Sequence, residues 1–172
     1  MGRQRRFTPL AAVLISSLLP GVGCEASKSQ TGPSNVQEAN RPVMDPMPAG
    51  QRWIILAAIG IGVDNGTSFG SAFPAEGVPS TTQVKISWGL WFPGGVDGRT
   101  IRQKYSYTVN GKAGPINDRT FATGFGGGTE RWGSLSTWFS VSGDYVFKVE
   151  LWDLTAPEGE GYSTKEISFK IK

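Results

Sequence analysis

The sequence predicts an all-β protein, an antiparallel sandwich of about seven strands. The strongest observation is the stretch 143–152, in which buried-type residues (Tyr145, Phe147, Val149, Leu151) alternate with a second set. Such alternation is typical of a strand with one buried face and one solvated face. The composition agrees, because 24 glycines and 11 prolines separate short apolar runs.

The remaining elements follow from the same criteria. The run Trp53–Ile59 is continuously apolar, as in a strand buried on both faces, and residues 67–80 form an irregular crossover. Asn110-Gly111 predicts a tight hairpin turn, because both central residues of that turn need positive φ. An acidic loop is predicted at 153–162. The other strands are predicted at Gln83–Phe92 (with Trp88 in the core), Ile101–Val109, Phe121–Phe125, Leu135–Val141 and Ile167–Ile171.

The segment Val141-Ser142-Gly143-Asp144-Tyr145-Val146-Phe147 resembles the tyrosine-corner strand of immunoglobulin-like domains, Asp-x-Gly-x-Tyr-x-Cys. Gly143 and Tyr145 match, whereas Val141 and Phe147 replace the Asp and the Cys. The resemblance implies an immunoglobulin-like β-sandwich, in which the Tyr145 hydroxyl bonds the backbone a few residues upstream. It does not select a function, because this fold hosts adhesion, binding and structural modules.

Residues 1–23 have the organisation of a secretory signal peptide. Arg3, Arg5 and Arg6 precede an apolar run from Phe7 to Leu19, and small residues follow. The run is too short to span a bilayer, which requires about 20 residues.

Cys24 ends this segment, and Gly21-Val22-Gly23-Cys24 resembles the lipid-attachment signal of bacterial lipoproteins, although Gly21 stands where Leu is usual. The resemblance implies a lipid on Cys24 and a membrane-anchored envelope protein. Glu25 follows the cysteine, which favours the outer membrane. The alternative is ordinary cleavage after Gly23 or Ala26, giving a periplasmic or secreted soluble protein.

Residues 24–50 are predicted to be the lipid-attachment site followed by a disordered tether, and residues 51–172 the sandwich domain. The segment from Glu25 to Gly50 contains four prolines and no aromatic residue. Such a chain cannot bury enough apolar surface to offset the entropy of ordering.

Composition excludes several classes of site. There is no histidine and Cys24 is the single cysteine, which excludes an internal disulfide, a Cys/His zinc site and a histidine-dependent catalytic triad. Without Arg3, Arg5 and Arg6, 14 basic residues face 14 acidic ones. We therefore expect no nucleic-acid partner, and no cofactor is predicted.

Tryptophan is the most informative residue type. By parity, Trp91, Trp138 and Trp152 lie on the polar faces of their strands, where exposed indoles often mark a recognition surface. The alternative is that long crossovers cover them. In immunoglobulin-like topology the strands of Trp91 and Trp138 are neighbours, which predicts a two-tryptophan platform with Lys85 beside it.

The loop acids Asp153, Glu158 and Glu160 offer weaker candidates. They could hold calcium, or two of them could serve glycosidic hydrolysis, but neither spacing is diagnostic and solvated loop acids are the simpler interpretation. The glycine run at 123–129 lacks the residues of a phosphate-binding loop.

The sequence therefore predicts a non-catalytic binding or structural module at the bacterial cell envelope. Its partners would be the membrane, through the lipid anchor, and a cell-surface glycan or protein, through an exposed tryptophan face. The alternative is a carboxylate-dependent hydrolase of envelope or extracellular polysaccharide.

Overall fold

The computed structural model describes residues 40–93, 98–122 and 129–172. Within these ranges the chain is all-β, and its nine strands form two antiparallel sheets, which confirms the predicted fold class. Seven strands are longer than two residues. The strands are β1 (Ile55–Val63), β2 (Ser71–Ala72), β3 (Gln83–Trp91), β4 (Thr100–Val109), β5 (Lys112–Ala113), β6 (Asn117–Ala122), β7 (Glu130–Trp138), β8 (Gly143–Asp153) and β9 (Tyr162–Ile171).

The first sheet has the order β2-β1-β3-β7, and the second has the order β5-β4-β8-β9, with β6 also pairing β4. The core lies between them. β8 supplies four buried aromatic and aliphatic residues from its inner face, in the alternation that the sequence predicts. The members of the core from β8 are Tyr145, Phe147, Val149 and Leu151, which pack with Val84, Ile86, Trp88 and Leu90 of β3.

Trp88 is a core residue, as predicted, with 2% of its surface exposed. Its indole lies directly against Gly133 of β7, where a Cβ atom would come within 2.4 Å of the Trp88 Nε1. The predicted hairpin turn is also present, because Asn110 and Gly111 have φ of 50° and 77°.

Two strands begin earlier than predicted. β6 starts at Asn117 rather than Phe121, and β7 starts at Glu130 rather than Leu135. Both are edge strands with polar residues on their inner faces, such as Arg119 and Arg131, so their alternation of apolar residues is weak.

Residues 40–45, which the sequence assigns to the tether, lie across the outer face of the first sheet. Asn40 donates from Nδ2 to the carbonyl oxygens of Ile61, Phe69 and Ser71 at 3.1–3.3 Å. The Asp45 amide donates to the carbonyl oxygen of Ala57 at 2.9 Å. The boundary predicted at residue 50 therefore does not coincide with the start of contacts to the sheet. The signal peptide, Cys24 and tether residues up to 39 lie outside the described residues.

Across the described ranges, no helix is long and apolar enough to cross a membrane.

Candidate functional site

The outer face of the second sheet carries a cluster of aromatic and charged side chains, which we name the Trp152 face. It consists of Arg102 and Lys104 of β4, Asp118 of β6, Glu150 and Trp152 of β8, and Tyr162 of β9. Alternation along β8 places its inner residues in the core, so Glu150 and Trp152 must point outward. Strand pairing then brings the others beside them.

Arg102, Trp152 and Tyr162 form one row across three neighbouring strands. Arg102 is the register partner of Trp152 on β4, and Tyr162 is its partner on β9. The Arg102 guanidinium lies 5.0 Å from the Trp152 ring centre. The Tyr162 ring centre lies 5.2 Å away on the other side, at an interplanar angle of 42°. Neighbouring strands are about 4.8 Å apart, so the row extends about 10 Å across the sheet.

A second row of charged side chains runs beside the first. Lys104 lies 3.3 Å from Glu150, and Arg102 lies 2.6 Å from Asp118 of β6. The Tyr162 hydroxyl donates to Glu150 Oε1 at 3.0 Å, which links the two rows. Lys148 of β8 also lies 3.4 Å from Glu150, so each carboxylate of the face is paired with at least one cation.

Hydrogen bonding keeps both carboxylates of this face ionised. The Arg102 guanidinium lowers the pKa of Asp118. Partial burial raises the pKa of Glu150, but hydrogen bonds from Tyr162 and Lys104 outweigh burial and hold it below its usual value. The face thus offers fixed carboxylate acceptors beside guanidinium and ammonium donors at neutral pH.

No described segment crosses the Trp152 face, and Tyr162 is 45% exposed. The outer face of the first sheet is different, because residues 40–45 and the 64–70 loop cover it. The Trp132 ring lies there, with the Arg41 guanidinium 4.9 Å and the Phe69 ring centre 4.9 Å away. Among the described residues, the outer face of the first sheet is thus covered, whereas the Trp152 face leaves Tyr162 exposed and Trp152 half-buried.

The predicted platform of Trp91 and Trp138 is wrong, although both indoles lie on the outer face of neighbouring strands as expected. Trp91 is the register partner of Glu130, whereas Trp138 pairs with Gln83. Eight residues separate the two positions, about 27 Å along the strand. The two strands are neighbours, as predicted, but their register places the tryptophans at opposite ends of the strand pair.

Lys85 and Trp91 are also engaged in contacts within the chain. Lys85 donates to the Thr67 carbonyl oxygen at 2.5 Å and lies 3.6 Å from Asp64. The Trp91 indole donates to the Asp45 carbonyl oxygen at 2.8 Å. Both side chains are therefore covered by other segments of the chain, which is the alternative that the sequence left open.

Trp138 remains exposed, at 61%. It borders a cleft of about 240 Å³ on the side of the sandwich where β7 faces the β5–β6 connection. The cleft is lined by aromatic and aliphatic side chains with few polar groups. Its lining comprises Tyr105, Tyr107, Pro115, Ile116, Asn117, Leu135, Thr137, Trp138, Phe139 and Phe147.

The predicted acids do not converge on one site. Asp153 is buried and forms an ion pair with Arg99 at 2.7 Å, and it accepts the Ile54 amide at 3.2 Å. Glu160 accepts the Trp53 indole N–H at 2.6 Å, while Glu158 is an exposed loop residue. Within the described residues, no group of three or more acids is arranged to hold a metal ion.

Of the predicted binding residues, Trp152 alone lies on the open face. Sequence reasoning missed Arg102, Lys104 and Tyr162 as its neighbours. Alternation along β8 did place Glu150 with Trp152, but the cross-strand neighbours depend on register, which no short-range signal specifies.

No protein-family model and no curated protein matches this chain. Among solved structures, the chain is similar to the C-terminal domain of wzt, with a TM-score of 0.48 and 15% identity. The similarity covers 77% of this chain and 82% of that one. We transfer no residue and no ligand from that domain to this chain.

Proposed function

We propose that this protein is a non-catalytic glycan-binding module and that the Trp152 face is its binding surface. One observation carries the proposal: Trp152 and Tyr162 lie side by side on the uncovered sheet face, flanked by paired charges. Exposed aromatic residues with fixed polar neighbours are characteristic of recognition surfaces.

The chemistry of the face suits a sugar chain. The exposed Tyr162 phenol and the half-buried Trp152 indole, which lies between Tyr162 and the Arg102 guanidinium, provide apolar surface against which the C–H face of a pyranose can pack at low cost in conformational entropy. The carboxylate of Glu150 and the guanidinium of Arg102 can form paired hydrogen bonds with neighbouring hydroxyl groups. Because the cations of this face are engaged in ion pairs with its own carboxylates, we expect a neutral or zwitterionic glycan rather than a polyanion.

The hydrolase alternative has less support. A glycosidase requires two carboxyl groups flanking the bond that is cleaved. Asp153 forms an ion pair with Arg99, and Glu160 accepts a hydrogen bond from the Trp53 indole. Glu150 forms an ion pair with Lys104 and accepts a hydrogen bond from Tyr162. None of the residues that line the Trp138 cleft carries a carboxylate.

The N-terminal segment supports a proposed cellular location. A charged head, an apolar run and Cys24 favour export and lipid attachment, with the module held at the outer membrane. In that position, the protein would bind a glycan of the envelope or of a neighbouring surface.

A glycan array tests the proposal and supplies a soluble oligosaccharide probe. The affinity of each variant for that probe is then measured by titration calorimetry. We expect Trp152→Ala to weaken binding at least tenfold, while Trp138→Ala, the matched change of an exposed indole elsewhere, leaves affinity per site unchanged. Binding that depends on Trp138 instead would move the site to the cleft, and no glycan binding at all would reject the function.

A further inference from the structure

Among the described residues, β7 is a sheet edge without a partner strand on one side, and its charged residues, Glu130 and Arg131, lie only at its start. It pairs β3 on one side, and within the described residues no strand or backbone hydrogen bond occupies its other side. Its stretch 132–138 contains neither a charged residue nor a proline, which are the usual means of protecting a free edge. An uncharged edge of seven residues is a template for another strand.

The other edges of the described sheets are protected. β2 pairs only the last two residues of β1. Further along β1, Asn40 Nδ2 donates to the Ile61 carbonyl oxygen, the Asp45 amide donates to the Ala57 carbonyl oxygen, and the Leu56 amide donates to Ser163 Oγ. β5 has two residues, and β6 carries Asp118 and Arg119. β9 carries Lys165, Glu166 and Lys170, and its end is capped by the segment at Val78 and Ser80, whose amides donate to the carbonyl oxygens of Lys170 and Lys172 at 3.2 Å. The exposed backbone of β7 is therefore a specific feature of that strand.

The sequence of β7 is self-complementary. Trp132-Gly133-Ser134-Leu135-Ser136-Thr137-Trp138 reads nearly the same in both directions about Leu135. An antiparallel second copy centred on Leu135 would place each Trp132 beside the partner's Trp138 and each Ser134 beside the partner's Ser136. On the inner face, Gly133 would lie beside the partner's Thr137. Every position thus meets a residue compatible in size and polarity.

The charges at the start of β7 agree with this register. Glu130 and Arg131 would lie beside the partner's Ser140 and Phe139, so no like charges meet. The exposed Trp138 indole would gain an aromatic neighbour, and burying it adds apolar area to the interface.

We propose that β7 pairs with β7 of a second copy of this chain in an antiparallel dimer with its twofold axis at Leu135. A symmetric interface that uses one surface twice is the commonest way in which soluble proteins associate. The two first sheets then join into one sheet of eight strands. The Trp152 face belongs to the other sheet and stays free in both copies, so this inference does not depend on glycan binding.

The test uses the full chain carrying Cys24→Ser, so that a lipid cannot associate the molecules. In the proposed register, residue 134 of one copy lies diagonal to residue 134 of the other, at about 7–8 Å. Light scattering should show a dimer for the parent chain. Ser134→Lys and Ser134→Glu should each raise the dissociation constant at least tenfold, and an equimolar mixture of the two should restore the dimer. Ser168→Lys on the outer face of β9 is the matched control and should leave the dimer intact.

A cross-link fixes the register independently. Leu135→Cys in the same background leaves one cysteine per chain, and only a pairing centred on residue 135 brings two of them within disulfide distance. Mild oxidation should give a covalent dimer on a non-reducing gel. The proposal stands if both charge complementation and cross-linking occur. A monomeric parent chain, a dimer indifferent to Ser134 charges, or failure of either result overturns it, including the case in which β7 pairs a different protein.

Discussion

The Tyr145 hydroxyl donates a hydrogen bond to the carbonyl oxygen of Val141, four residues upstream, with 2.7 Å between the two oxygens. The Tyr145 side chain is 2% exposed, and its ring stacks on Phe169 of β9 at a centroid distance of 5.3 Å. This is the contact that the resemblance to a tyrosine corner implied. It ties the β7–β8 connection to the strand at the centre of the second sheet.

Tyr145→Phe should lower the free energy of unfolding by about 1 kcal/mol, because it removes one hydrogen bond while keeping the ring packed. Urea denaturation checks this value. Tyr162→Phe is the matched control, since its hydroxyl binds Glu150 on the exposed face, and it should cost less. Equal stability of the Tyr145→Phe variant and the parent protein would show that the corner contributes nothing.

Gly133→Ala should destabilise the protein by about 1–3 kcal/mol, because the added methyl group collides with the Trp88 indole, which has no room to move in the core. Thermal unfolding measures the loss. Ser134→Ala, at the neighbouring exposed position, should remain within about 0.5 kcal/mol of the parent. Tolerance of the methyl group at 133 would show that Trp88 packs elsewhere.

The buried pair of Asp153 and Arg99 predicts acid sensitivity. Burial raises the pKa of Asp153, but hydrogen bonds from Thr155, the Ile54 amide and Arg99 outweigh it and lower the pKa below its usual value. The unfolded chain therefore binds a proton more readily than the folded one. The resulting stability is complete above the unfolded pKa, near pH 4, and is lost as the pH falls through the lower folded pKa.

Asp153→Asn should consequently cost about 3 kcal/mol at pH 7, and the difference from the parent protein should shrink as the pH falls below about 4. Urea titrations at a series of pH values measure it. Asp64 and Glu150 also have lowered pKa values but are present in both proteins, so the difference reports Asp153. Glu158→Gln, in the exposed loop that follows β8, is the control and should leave the free energy of unfolding close to that of the parent protein. A difference that does not change with pH would contradict this assignment.

The proposed attachment of a lipid to Cys24 is tested by metabolic labelling with a fatty acid. The parent chain should carry the label and be found in the membrane fraction of the cells. The Cys24→Ser variant should carry no label, because it lacks the thiol to which the lipid would be attached. Ser27→Ala, just beyond the cysteine, is the control and should label like the parent. Equal labelling of the parent and Cys24→Ser, or of neither, would reject the anchor.

The sequence predicts the fold better than the site, for a physical reason. Alternation along one strand reports which side chains face the core, so the inner residues of β8 and the buried Trp88 could be predicted. Register between strands depends on packing over the whole sheet, and the register observed here places Trp91 and Trp138 at opposite ends of their strands. The covering of Lys85 by the 64–67 loop is likewise a long-range contact that no local pattern encodes.

The six indole N–H signals of this chain provide the most direct test of the Trp152 face. The nitrogen-15 correlation spectrum is recorded while the oligosaccharide found on the array is added, and the Trp152 signal is assigned from Trp152→Phe. We expect the Trp152 indole to shift in a saturable manner while the Trp88, Trp91 and Trp138 indoles remain in place. Saturable shifts at Trp138 with an unmoved Trp152 would contradict the proposed binding surface.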